Sequence, residues 1–251
     1  MINISSIDNN KIKSVCRLYD RKFRRRDGRY ITEGYRNVKD SLPYLQNPEL
    51  FISESAYAKY GDEFPTDVLC ADKVFAKISG TDNSQGVLCV SDIPENRLDF
   101  CANSVFLDGI SDPGNLGTIL RSCLATDFNN IIISGGVDCY NPKVVRSAMS
   151  ALCKLNVFEC ESAHILQDLS ANGYKILCAD MRGKNLYETD FSGDKICLVI
   201  GSEAHGVSGE AVGLSDEIIS LPMGKIESLN AAVCASVIMY RLRYNQTKIG
   251  G

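Results

Sequence analysis

From about residue 104 onward, short apolar runs alternate with stretches of helical period, as buried parallel strands and their covering helices do. The runs predict strands at Val105–Asp108, Asn130–Ile133, Leu155–Glu159, Lys175–Ala179, Ile196–Ile200 and Ile218–Leu221. Between the first two, Leu116, Ile119, Leu120, Cys123 and Leu124 recur at i, i+3, i+4, i+7 and i+8, a buried stripe that leaves Arg121 off the packed face. A later helix begins with Asn141 as its N-cap and Pro142 in its first position. The first hundred residues read as a smaller α/β unit with a basic helix, a strand near Tyr30–Thr32 and a helix through Val38–Leu45. The polar, proline-bearing stretch from Ser91 to Arg97 separates the halves, dividing the chain into 1–97 and 98–251.

Three strand ends run into glycine-bearing polar turns. They are Asp112 to Arg121, Val199 to Gly206, and the junction from Leu221 through Pro222, Met223 and Gly224 to Ala232. Glycine after a strand lets the backbone approach a ligand closely, and a helix N-terminus offers unpaired N–H donors. Each turn alone could be only a tight turn, but three in one domain point to a ligand site. None has the Gly-x-Gly-x-x-Gly or Gly-Lys-Ser/Thr pattern, so phosphate-led cofactors lose their support.

Composition narrows the class. A chain of 251 residues, 45% hydrophobic and 23% charged, can bury a full core, and no apolar run approaches the roughly 18 residues that cross a bilayer. The polar start lacks a signal segment, so a cytoplasmic location is expected. The 11 cysteines include no Cys-x-x-Cys, and those such as Cys89, Cys178, Cys197 and Cys234 in apolar stretches read as reduced core thiols. Two histidines, His164 and His205, cannot build a multi-histidine metal site, and no metal is expected. Net charge is -4, yet Lys11 to Arg36 holds ten basic residues against three acids, a local net of +7. Arg21, Lys22, Arg24, Arg25 and Arg26, with aromatics interleaved, suit a nucleic-acid phosphate backbone, although a solvated helix face is the plainer alternative.

At this point the three turns resemble the signature motifs of the SpoU (TrmH-type) family of RNA ribose 2′-O-methyltransferases. The matching residues are Asn115-x-Gly117-x-x-x-Arg121, Gly201-x-Glu203-x-x-Gly206, and Pro222-Met223 followed by Ser228-Leu229-Asn230. Arg21-Lys22, Thr32-Glu33-Gly34 and Phe75 to Ser79 before Gln85-Gly86-Val87 are similar to the substrate-binding domain often attached to this family. The resemblance implies a SPOUT-type α/β fold: a deep trefoil-knotted parallel-sheet domain preceded by a smaller L30e-like RNA-binding domain. It further implies S-adenosyl-L-methionine as cofactor, a homodimer, and RNA, ribosomal RNA in particular, as substrate.

Carried over residue by residue, the resemblance assigns Gly201, Leu221, Met223 and Leu229 to cofactor binding. It assigns Arg121, Asn115, Glu203, Ser228 and Asn230 to the reaction. From the residues alone, Arg121 could be a surface arginine, Glu203 a helix N-terminal acid and Asn115 an N-cap. The third motif departs from the family in Ala231-Ala232, where Val-Ser is usual. Rival readings are a non-catalytic RNA-binding or ribosome-assembly protein, and a ribose methyltransferase acting on transfer RNA.

Overall fold

The computed structural model describes residues 1–189, 191, 195–226 and 228–247. They fall into two compact units, Met1–Glu95 with Asp138–Cys153, and Asn96–Val137 with Lys154–Gly251.

The first unit runs β1 (Ile2–Ile4), α1 (Asn10–Arg17), α2 (Arg21–Asp27), β2 (Arg29–Glu33), α3 (Tyr35–Ser41) and β3 (Gln46–Ser53). It continues through α4 (Glu54–Tyr60), β4 (Val68–Cys70), α5 (Asp72–Ile78) and β5 (Val87–Asp92). The strands form a mixed sheet ordered β1-β4-β3-β5-β2, with β2 and β3 antiparallel to β5. The single basic helix expected from the charge run is two helices. Asp20 accepts from Lys22 N and starts α2 afresh, and Gly28 at φ 61 ends it. Ile12, Val15 and Leu18 pack with Phe51, Phe75 and Ile78 in the core under that basic surface.

The second unit holds β6 (Ser104–Asp108), α6 (Pro113–Ala125) and β7 (Asn130–Ser134). The chain then forms α7 (Pro142–Ala148) before β8 (Asn156–Cys160), α8 (Ile165–Ala171), β9 (Lys175–Asn185), β10 (Ile196–Gly201), α9 (Gly209–Gly213), β11 (Glu217–Ser220) and α10 (Ala231–Thr247). The order β11-β9-β10-β6-β7-β8 is parallel throughout, which is why these strands read as continuous apolar runs.

Two features depart from the sequence reading. The segment with α7 packs in the first unit, where Tyr140 lies 4.8 Å from Tyr30 between ring centroids and Asn37 Nδ2 donates to Val145 O at 3.4 Å. One cut near residue 97 misses that return of the chain, because the partners stand far apart in sequence. The second departure is in β9, which outruns its apolar stretch. Its neighbour β11 pairs Ile218 with Cys178 and the next residue, Ile219, with Lys184. Ala179–Gly183 therefore stand outside the ladder, and only glycine fits at 183, since a Cβ there would lie 2.6 Å from the Ile218 carbonyl carbon.

Candidate active site

At the start of α6, Asp112 accepts from Asn115 N at 2.7 Å, so Asp112 is the N-cap and the Asn115 side chain is left for other partners. Its Nδ2 donates to Glu203 Oε1, and Asn230 Nδ2 donates to Asn115 Oδ1 at 2.9 Å and to Glu203 Oε1 at 3.0 Å. Asn230 Oδ1 meanwhile accepts from Ala232 N at 2.9 Å and Val233 N at 3.2 Å, the N-cap of α10. One residue from each turn thus enters a single network around an exposed carboxylate. The Ala231 and Ala232 side chains are buried, with Ala235, where α10 packs on α6.

After β10 the chain folds back tightly. Ser202 N donates to Gly206 O at 3.1 Å, and Gly206 N returns to Ser202 O at 2.8 Å. A Cβ on Gly201 would fall 2.1 Å from the Gly206 carbonyl carbon, so the close approach requires glycine. Beside this turn opens a cavity of about 470 Å³ walled by Gly201, Leu221, Met223, Ser228 and Leu229, with Glu203 and His205 in its lining. Asn115 and Asn230 stand outside the lining and reach it through Glu203. Arg121 lies on the exposed face of α6, with no hydrogen-bond or ion-pair partner among the described residues.

Sequence reasoning missed the opposite wall. Ala179, Asp180, Met181 and Arg182 line the cavity from the excursion of β9, and Cys234 and Ile238 line it from α10. The charged residues Asp180 and Arg182 before Gly183 were the available signal; they read as the end of a strand. Burial pushes the Cys234 thiol up, so it remains a neutral wall group.

The basic run in the first unit is less open than its composition suggests. Arg24 is 2% exposed; its Nη1 donates to Leu18 O at 2.7 Å and its Nε and Nη2 to Asp138 Oδ2. It is a core ion pair and is withdrawn as an RNA contact, because α2 turns this arginine inward. Arg21, Lys22, Arg25 and Arg26 are exposed, and Arg26 is bound to Asp27 and covers the Phe23 ring at 4.8 Å. Lys11 pairs with Glu49, and Arg29 with Asp92 at 3.3 Å.

Residues 102–240 match the SpoU rRNA Methylase family, and residues 9–89 match the MRM3-like substrate binding domain. The 23S rRNA (guanosine(2553)-2′-O)-methyltransferase RlmP of Bacillus subtilis is 26% identical over 250 residues, covering 97% of this chain and 100% of that one. Among solved structures, a TrmH-family protein from Porphyromonas gingivalis aligns over 94% of this chain and 98% of its own, at 27% identity and a TM-score of 0.83. The SpoU methyltransferase AviRb from Streptomyces viridochromogenes, solved in complex with AdoMet, aligns over 97% and 99% at 25% identity and a TM-score of 0.82.

Proposed function

Because the chain belongs to the SpoU rRNA methylase family, we propose that it transfers a methyl group from S-adenosyl-L-methionine to a ribose 2′-hydroxyl of RNA, ribosomal RNA in particular. The observation that carries this reading is that the second and third turns wall one cavity, and the Asn115–Glu203–Asn230 network ties the first turn to it. The cavity fits the cofactor. Ile200, Ile219 and Ile238 offer apolar walls for a purine, and Gly201 and Leu221 line the cavity beside them.

When bound, the cofactor supplies an electrophilic methyl on a sulfonium. The chain's own task is alignment and activation of a poor nucleophile. A guanidinium is a poor base, so the role of Arg121 is to clamp a phosphate beside the target ribose and stabilise developing negative charge on the hydroxyl oxygen. Ser228, Asn230 or a water held by them passes the proton on. Glu203, fixed by two amides, orders Asn230 and the start of α10 beside the cavity.

The same reading assigns residues 1–97 to RNA capture and 98–251 to catalysis, supported by the two family matches. Exposed Arg21, Lys22, Arg25 and Arg26 support the capture role. A trefoil knot is supported by three loop segments meeting at one cavity, and a homodimer by Val233 and Tyr240, 47% and 45% exposed along α10. No helix among the described residues is long and apolar enough to cross a membrane, and a ribosomal RNA substrate supports a cytoplasmic place.

The test is to map 2′-O-methylated nucleotides in total RNA with and without the gene, and to measure cofactor binding by calorimetry. One ribosomal position losing its methyl is the expected result. A change confined to transfer RNA would move the substrate, and a folded protein that binds no cofactor would leave an RNA-binding or ribosome-assembly role.

A further inference from the structure

The excursion of β9 carries cavity-lining side chains that none of the three motifs accounts for. Within it Arg182 is tied to Asp180 three times. The Arg182 main-chain N–H and Nε each donate to Oδ1 at 2.9 Å, and Nη2 donates to Oδ2 at 3.0 Å. Asp180 is the inner member, its side chain 18% exposed against 79% for Arg182. The arginine's hydrogen bonds hold the Asp180 carboxyl below the ordinary carboxylate range, so the pair is ionised at neutral pH.

An exposed ion pair adds little to folding. Stability therefore does not explain why a break in the sheet, pinned by Gly183 against Ile218, presents one at the rim of the cavity. What the pairing does is fix a long side chain. Asp180 takes one edge of the guanidinium, and the remaining N–H groups of the fork are left for another acceptor.

We infer that Arg182 is a substrate contact, its guanidinium oriented by Asp180 to take a backbone phosphate of the RNA lying across the cavity mouth. This rests on the RNA methyltransferase reading. A ligand enclosed in the cavity would leave so exposed a side chain largely in water, whereas a strand crossing the mouth reaches it. Charge points the same way. Asp180 and Glu203 make the lining acidic, and Arg182 is its one permanent cation among the described residues, so an incoming polyanion has one side chain to offset that repulsion. Asp180 is then a positioning residue, acting through Arg182.

The experiment uses the 251-residue chain and transcribed large-subunit ribosomal RNA, with binding followed by filter retention from about 50 to 200 mM salt. S-adenosyl-L-methionine affinity is measured by calorimetry on the same preparations. Arg182→Ala is expected to weaken RNA binding about tenfold and to reduce the slope of log affinity against log salt by about 0.7, one phosphate's worth on a single strand, with cofactor affinity unchanged. Arg182→Lys keeps the slope and loses part of the affinity, since the charge survives and the fork does not. Asp180→Asn weakens RNA binding with the slope intact, a split that a merely structural role would not produce. Weaker cofactor binding in Arg182→Ala with RNA binding unchanged would put the pair in the cofactor site and overturn the inference. No change in either affinity would overturn it too. Methyl transfer from labelled cofactor to the same transcript by the unmutated chain tests the parent reading separately; its absence would sink that reading while the RNA comparison still decides the contact.

Discussion

Asn230 reaches back to Glu203, donating to Oε1 at 3.0 Å with its amide nitrogen while its amide oxygen caps α10. One side chain thereby sets where the last helix begins and how the carboxylate at the cavity is held.

These two duties can be separated. Asn230→Ala removes both, and is expected to cost about 1 kcal/mol from the lost cap and to lower methyl transfer at least about tenfold. Asn230→Ser retains a capping oxygen and loses the longer amide donor that bridges Asn115 and Glu203. It should melt near the unmutated temperature yet transfer methyl as poorly as the alanine variant. Equal activity in Asn230→Ser and the unmutated chain would remove the Glu203 contact from the reaction.

Arg24 and Asp138 form a core ion pair in the first unit, with 3% and 10% of their side chains exposed. Removing one partner strands the other's charge, so Arg24→Ala should lower unfolding free energy by about 3–5 kcal/mol in a urea titration. At a temperature where the variant is folded, its RNA affinity should match the parent's, whereas Arg25→Ala should weaken RNA binding. A stable Arg24→Ala with weak RNA binding would restore Arg24 as a contact.

Gly201→Ala places a methyl group 2.1 Å from the Gly206 carbonyl carbon, and the hairpin beside the cavity must open to admit it. Destabilisation of about 1–3 kcal/mol and loss of cofactor binding by calorimetry are expected together. At Gly206 there is space but φ is 68, so Gly206→Ala should cost only about 1–2 kcal/mol of backbone strain. Tight cofactor binding by Gly201→Ala would show that the hairpin yields without disturbing the cavity.

Alkaline pH should unfold the chain by way of its buried thiols. Burial pushes Cys89 up to about 12 and raises Cys123 and Cys197 as well, from an ordinary value of 9.0. Above pH 9 these groups ionise in the unfolded chain and stay protonated in the folded one. Their contribution is therefore complete below pH 9 and declines as pH rises from there towards the folded values, by about 1.4 kcal/mol per pH unit for each thiol. Urea midpoints at pH 8, 9 and 10 would follow this, and Cys123→Ala should flatten the decline by one proton's worth. An unchanged slope in that variant would assign the effect elsewhere.

The strands of the second unit were legible because a parallel strand buried on both faces must be apolar along its length, as Val105–Leu107 and Ile131–Ile133 are. The polar turns were legible for the opposite reason: their glycines interrupt that pattern at strand ends. What could not be read locally was decided at long range. Nothing near Arg24 announces Asp138, so the arginine looked like part of an open basic face. Asp180 to Arg182 looked like a strand running out, because only the register of β11 reveals that β9 resumes at Lys184. Of the proposed site, the Asn115–Glu203–Asn230 grouping was foreshadowed by its motifs, while the cavity's other wall is set by the long-range register of β11 on β9.

The return of Asp138–Cys153 to the first unit also sets a timetable for synthesis. When residue 95 leaves the ribosome the first sheet has all its strands, but Tyr30 still lacks its ring partner Tyr140, and Arg24 lacks its carboxylate, which lies 114 residues beyond it in the chain. The entropy of closing so long a loop falls on a chain whose Arg24 has not yet met its carboxylate. The N-terminal unit is thus completed only after the first strands of its neighbour have been made.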